Sequence, residues 1–220
     1  MLKKLCLQLL SACAAACLLA QPAHSASYFE NALVDDVVNP GRLQTKGDIE
    51  VVEFFWYGCH SCAAFEPQLN AWVATLPRNV HFMRLPASWN PDMVAQQRLY
   101  FTLLELKRLD LHAKVFADIH TKRRQLDTPA RIAAWAGEQK INANTWRDTF
   151  NSAAVTAQVA AAQSAYQRFE LNWVPALVID GRRVVAYTPS VLNDADQEVR
   201  NLLSQNAPAS SQIFEPKATK

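Results

Sequence analysis

The sequence predicts an α/β fold in which one sheet domain is interrupted by an inserted helical block. Three observations predict it. A β-branched and aromatic run from Ile49 to Trp56 leads directly into a helical stripe and then a second apolar run. From Asn90-Pro91 onward the periodicity stays helical for a long stretch. Strand signals then return on either side of Asp180-Gly181, giving the order β, α, β, helical block, β-hairpin, α.

Each element has its own warrant. Ile49-Glu50-Val51-Val52-Glu53-Phe54-Phe55-Trp56, bounded by Gly47-Asp48 and Gly58, reads as a buried strand that runs into Cys59. Cys62, Phe65, Leu69, Trp72, Val73 and Leu76 recur at offsets of three and four, the apolar stripe of a helix ending before Pro77. Val80 to Leu85 is a second strand, stopped by Pro86. The block opens with helices over about 92–109 and 111–124. Thr128-Pro129 pairs an N-cap with a proline at the first helical position and starts a helix toward Gly137. Asn142 and Ser152 are caps for two more, the second with Val155, Val159, Ala162, Tyr166 and Phe169 on one face. Ala176 to Ile179 and Arg183 to Tyr187 flank the Asp180-Gly181 turn as a hairpin, and a last helix covers about 190–204. Repeats and low-complexity linkers are absent from the sequence.

The start of the chain has the layout of an export signal. Lys3 and Lys4 precede an almost purely apolar run from Leu5 to Ala20, and Ala23-His24-Ser25 offers small residues for cleavage. The run is shorter than the roughly 20 residues that cross a bilayer. Leu10-Ser11-Ala12-Cys13 looks like a lipoprotein processing box, but the apolar stretch before Cys13 is too short for that use. The expected organisation is a removed signal at 1–25, a sheet domain at 26–87 and 171–205, the helical block at 88–170, and a flexible tail at 206–220. Without Lys3 and Lys4 the 22 basic residues fall to match the 20 acidic ones, so charge points to no nucleic-acid partner. Cys6, Cys13 and Cys17 leave with the signal, and only Cys59 and Cys62 of the five cysteines remain. A half-apolar chain of this length has core enough without a staple, and a disulfide across three residues constrains little of the unfolded chain.

That pair has the makings of a redox centre. Cysteines at i and i+3 at a helix start bring their Cβ atoms within disulfide range. Cys59 belongs at the open helix end, where unpaired backbone N–H groups favour a thiolate. Cys62, one turn in and on the side of Phe65, is then the shielded partner, so Cys59 is the expected nucleophile and Cys62 the resolving thiol. A helix terminus supplies roughly 0.3 to 2 kcal/mol against about 1.4 kcal/mol per pKa unit, so the dipole alone does not make a strongly acidic thiol. Hydrogen bonds to the sulfur and a nearby imidazolium, with His60 the candidate, would supply the rest. Two other readings of Cys-x-x-Cys stay open: a zinc site and an inert structural disulfide. Zinc wants about four ligands, and His60, His81, His112 and His120 offer no second close-spaced pair.

Phe54-Phe55-Trp56-Tyr57-Gly58-Cys59-His60-Ser61-Cys62-Ala63-Ala64-Phe65-Glu66-Pro67 resembles the active-site segment of the DsbA family of periplasmic disulfide oxidases, and the similarity extends over about residues 48–205. The resemblance implies a thioredoxin fold with an inserted helical subdomain. It implies that Cys59 is attacked by a substrate thiolate while Cys62 leaves, and that the redox-active disulfide serves with no further cofactor. It also implies reduced, unfolded exported proteins as substrates, a quinone-linked membrane oxidase of the DsbB type as the reoxidising partner, a periplasmic location and a monomer. Trp173-Val174-Pro175-Ala176 is similar to the superfamily's loop in which a cis proline lies against the cysteines, making Trp173, Val174 and Pro175 substrate-binding candidates. Glu53, Glu66 and Arg84 match positions placed beneath the family's active site, either to relay a proton for Cys62 or simply as ion-paired residues. The family's usual dipeptide is Pro-His; here His60 adjoins the first cysteine and Ser61 the second. Trp56, Tyr57 and Trp173 are candidates to line a peptide groove, whereas Trp72, Trp135 and Trp146 suit the core. A reductase or isomerase of the same superfamily and a non-catalytic peptide-binding module are the rival functions. About twenty mature residues before Ile49 leave little room for an isomerase's dimerisation domain.

Overall fold

A computed structural model of the chain describes residues 48–206. The expected signal at 1–25, the box at Cys13 and the tail beyond Asn206 lie outside the described residues. Four strands, β1 (Ile49–Phe55), β2 (Val80–Pro86), β3 (Ala176–Ile179) and β4 (Arg183–Ala186), form one sheet in the order β2-β1-β3-β4. β1 runs parallel to β2, with Glu53 opposite Arg84, and antiparallel to β3, with Glu53 opposite Leu177. The parallel pair requires a crossover, which α1 (His60–Val73) provides. Asp180 and Gly181 take φ of 52° and 61°, the left-handed pair that lets a two-residue turn follow the twist of β3 and β4.

Between β2 and β3 lies the helical block: α2 (Val94–Glu105), α3 (His112–His120), α4 (Pro129–Glu138), α5 (Ala143–Phe150) and α6 (Ala153–Arg168). The chain then returns to the sheet, and α7 (Val191–Asn206) follows β4. The predicted caps are in place. Thr128 Oγ1 accepts from the Arg131 N–H, Asn142 Oδ1 from those of Asn144 and Thr145, and Ser152 Oγ from that of Val155.

Several boundaries differ from expectation. The helix expected over 92–109 begins as a 3-10 turn at Pro91–Met93 and ends at Glu105, where Lys107 turns to φ 54°. The next ends at His120 rather than near Arg124, because Lys122 and Arg124 N–H groups fold back onto the carbonyls of Ala117 and Asp118, and Arg123 has φ 54°. α1 carries Pro67 in its interior and stops at Val73. α7 runs through Asn206, two residues beyond the expected end.

Alternation along the strands divides the core in two. Val52, Phe54, Ala176 and Val178 face the helical block and pack with Leu99, Phe101, Leu103, Trp135, Val155 and Ala162. Val51, Leu177 and Ile179 face the other way, against Phe65, Leu69 and Trp72 of α1 and Val191, Ala195 and Val199 of α7. Trp72, Trp135 and Trp146 are core residues, as predicted.

Candidate active site

β1 ends at Phe55, and Trp56-Tyr57-Gly58 turns the chain into α1. The turn is closed by the Cys59 N–H donating to the Trp56 carbonyl at 3.0 Å. Gly58 is required here by close approach, since a Cβ at this position would run into the Trp56 indole. Cys59 is the N-cap of α1, with extended backbone, and its Sγ accepts the Cys62 N–H at 3.1 Å. A sulfur thus occupies the place that a serine or aspartate oxygen usually takes at a helix start. A disulfide joins Cys59 to Cys62 across a Cα separation of 5.2 Å. The two sulfurs are not equivalent: Cys62 is completely buried and Cys59 only partly.

Two further groups approach the Cys59 sulfur. Ser61 Oγ lies 3.3 Å away and, with the sulfur in a disulfide or a thiolate, is the donor. The Val174 carbonyl oxygen lies 3.6 Å away and can accept only from the reduced thiol. The Val174-Pro175 bond is cis, as the resemblance implied, and the Val174 carbonyl brings this loop against Cys59. Trp173 is 41% exposed. The side chain of Ser61, not that of His60, is the one within hydrogen-bond distance of the Cys59 sulfur. His60 is exposed and sets its ring edge against His120 at 5.6 Å, while His120 Nε2 donates to the Tyr57 carbonyl at 2.8 Å.

Beneath Cys62 lies a buried polar cluster. Glu66 is one turn along α1 from Cys62 on its buried face, and its carboxylate accepts four side-chain hydrogen bonds. His112 Nε2 and Arg84 Nε reach Oε1 at 3.1 and 3.2 Å; Asn70 Nδ2 and an Arg84 terminal nitrogen reach Oε2 at 2.9 and 3.3 Å. Glu53, on β1, has a side chain with no exposure at all. Arg84 Nε approaches its Oε2 at 2.9 Å, an ion-pair distance, but neither Glu53 oxygen has an aligned hydrogen bond. Burial pushes the Glu53 carboxyl up to about 8 from an ordinary 4.5; Arg84 opposes this and the Glu66 charge adds to it. Burial also pushes Glu66 upward, but the His112 and Asn70 hydrogen bonds and the Arg84 charge outweigh it and hold Glu66 below its ordinary value. Of the residues suggested by the sequence, Cys59, Cys62 and Pro175 are at the mouth with Ser61, and Glu53, Glu66 and Arg84 are together below, whereas His60 stands apart from the sulfur against His120.

Tyr57 corrects an expectation. It is 1% exposed and its hydroxyl is 2.8 Å from His112 Nδ1, so it belongs to the buried cluster and lines no groove. Its ring has no path outward because it packs edge-on against Phe55 and Phe116. His112 itself was no site candidate. The available signal was its place on the stripe His112, Val115, Phe116, Ile119, a histidine at a core position of an amphipathic helix. Among the described residues no group of three or more His, Cys, Asp or Glu side chains is placed to hold a metal ion.

A disulfide at the N-terminus of the first sheet-packed helix, beside a cis proline and above buried acids, defines a thioredoxin-fold thiol-disulfide oxidoreductase. Residues 65–197 match the DSBA-like thioredoxin domain, and the chain belongs to that family. The thiol:disulfide interchange protein DsbA of Bordetella parapertussis is 38% identical over 143 residues, which are 65% of this chain and 68% of that protein. The protein of the same name from Pseudomonas aeruginosa is 33% identical over 148 residues, 67% of this chain and 70% of its own length. The crystal structure of Pseudomonas aeruginosa DsbA matches with a TM-score of 0.66 at 29% identity, covering 77% of this chain and 89% of that one. Oxidoreductase DsbA from Xylella fastidiosa matches with a TM-score of 0.68 at 26% identity, covering 73% of this chain and 88% of that one.

Proposed function

We propose that this oxidoreductase works as a disulfide donor to reduced, unfolded exported proteins, in the periplasm and as a monomer, after removal of residues 1–25. The observation that carries the reading is the asymmetry of the two sulfurs. Cys59 is reachable and faces donors, the Cys62 N–H and the Ser61 hydroxyl, whereas Cys62 is sealed. A substrate thiolate forms a bond to Cys59 Sγ; the Cys59–Cys62 bond breaks and its electron pair leaves on Cys62. The substrate's second thiolate then attacks the substrate sulfur of the mixed disulfide. Cys59 departs as a thiolate held by its donors, the substrate is oxidised by two electrons, and the cysteine pair is reduced. Stabilising that thiolate favours the reduced pair, which raises its potential and makes the disulfide more oxidising.

The Cys62 thiolate left in the core needs a proton, and Glu53 is the acid that holds one near neutrality. Trp173, Val174 and Pro175 bind the peptide alongside, and a quinone-linked membrane oxidase of the DsbB type restores the disulfide. His60 stands at the rim with His120, where it meets the incoming chain rather than the sulfur. The test is to mix oxidised protein with a reduced, unfolded substrate and follow substrate thiols. Stoichiometric loss of substrate thiols with reduction of the pair is expected. Peptide binding without transfer would leave only a binding module, and a potential near that of thioredoxin would make it a reductase.

A further inference from the structure

Two buried carboxyls compete for one arginine beneath the disulfide, and the surroundings are unevenly divided. Arg84 lies between Glu53 and Glu66 and turns its aligned hydrogen bonds to Glu66 and Asn70. Asn70 and His112 add donors to Glu66 alone. An ionised carboxylate is stable in a protein interior when its lone pairs are met by donors and costly when they are not. The charge therefore rests on Glu66 and the proton on Glu53, and the group that completes this division is His112.

We propose that His112 is a positioning residue that assigns the single proton of the carboxyl pair to Glu53, and that Tyr57 fixes the tautomer with which it does so. The tautomer follows from geometry. The Glu66 carboxylate, 3.1 Å from Nε2, can only accept, so the ring hydrogen sits on Nε2 and Nδ1 accepts from the Tyr57 hydroxyl at 2.8 Å. The resulting chain of donors, Tyr57 to His112 to Glu66, runs in one direction. Groups from five elements pack around it: Glu53 from β1, Glu66 and, at the solvent edge, Asn70 from α1, Arg84 from β2, Tyr100 from α2 with its ring 5.8 Å from the imidazole, and Phe116 from α3. Burial holds His112 below its ordinary value in spite of Glu66, so the imidazole is neutral and has one hydrogen to give. Without that hydrogen Glu66 binds a proton more readily, its negative field on Glu53 fades, and Arg84 swings the balance toward an ionised Glu53.

The consequence for disulfide donation rests on the reading above, but the proton's location is testable apart from it. Carboxyl carbon-13 titration of the full mature chain, with Glu53→Gln to assign the signal, reads the Glu53 midpoint directly. His112→Leu is expected to lower the ratio of protonated to ionised Glu53 at pH 7 by about tenfold. His112→Gln, which keeps an N–H toward Glu66, is expected to restore most of it. Tyr57→Phe, which keeps the ring and removes the tautomer lock, is expected to lower the ratio by about threefold and decides the matter if a His112 variant does not fold. An unchanged midpoint in His112→Leu or Tyr57→Phe, or equal shifts in His112→Leu and His112→Gln, would overturn the proposal. If the midpoints move as expected while the oxidised protein transfers no disulfide, the donor function fails and the assignment of the proton stands.

Discussion

Cys59 and Cys62 are bonded to one another, yet one looks out on neutral hydrogen-bond donors and the other sits above a buried ionic cluster. The mouth of the site is built from the helix start and short side chains, and it acts on charge by offering N–H and O–H groups. The floor is built from strands β1 and β2, α1 and α3, and it acts by withholding water. The contrast gives the proposed exchange its direction: the sulfur open to solvent is the one surrounded by donors, and the sulfur proposed to leave is the sealed one above the acids.

The strongest way to break this comparison is to exchange the fates of the two cysteines. Cys59→Ala is expected to reduce disulfide transfer to a reduced peptide by more than about 1000-fold, the loss of a covalent nucleophilic centre. Cys62→Ala is expected to leave a mixed disulfide trapped on Cys59, visible as a substrate adduct on a non-reducing gel. Adducts forming equally well in the Cys59→Ala protein would erase the asymmetry. On the floor, Glu53→Gln removes a carboxyl whose folded value lies above its unfolded one. Such a group favours the fold below 4.5 and loses that contribution as pH rises toward about 8. The substitution should therefore stabilise by about 1–3 kcal/mol at high pH and change little in acid, as urea melts across the pH range would show. At the turn that joins the two regions, Gly58→Ala must displace the Trp56 indole and should cost about 1–3 kcal/mol of unfolding free energy. The smallest effect is at the mouth: Ser61→Ala should raise the Cys59 thiol by about 0.5–1 pKa unit and lower the potential by about 10–30 mV. Alkylation rates across pH and equilibration with glutathione measure both, and no change in either would remove Ser61 from the site.

Much of this arrangement was legible in the residues. β-branched and aromatic runs and the Asp180-Gly181 turn located the four strands of the described residues, 3.6-period stripes located the helices, and the caps at Thr128, Asn142 and Ser152 carry side-chain oxygens suited to a helix start. Cys59 and Cys62 declared themselves by spacing and position. The helix ends at Lys107 and Arg123 did not, because left-handed backbone at a basic residue is imposed by packing and leaves no mark on residue type. Tyr57 read as a surface aromatic because its one polar atom finds a partner 55 residues away. The same separation hid His112, whose value depends on Glu66 and Tyr57 arriving from two other elements. Ser61 was read only as the residue beside the second cysteine, and its hydroxyl stands at the Cys59 sulfur, the place for which the His60 imidazole was the candidate.

The hydrogen bond from His120 to the Tyr57 carbonyl joins the last turn of α3 to the loop that leads into Cys59. Gln97 makes a second tie, from α2 to the Pro86 carbonyl at the end of β2. The two ties fasten the inserted helices to the sheet at its active-site end, so the rim of the disulfide is held from the insert as well as from β1 and α1.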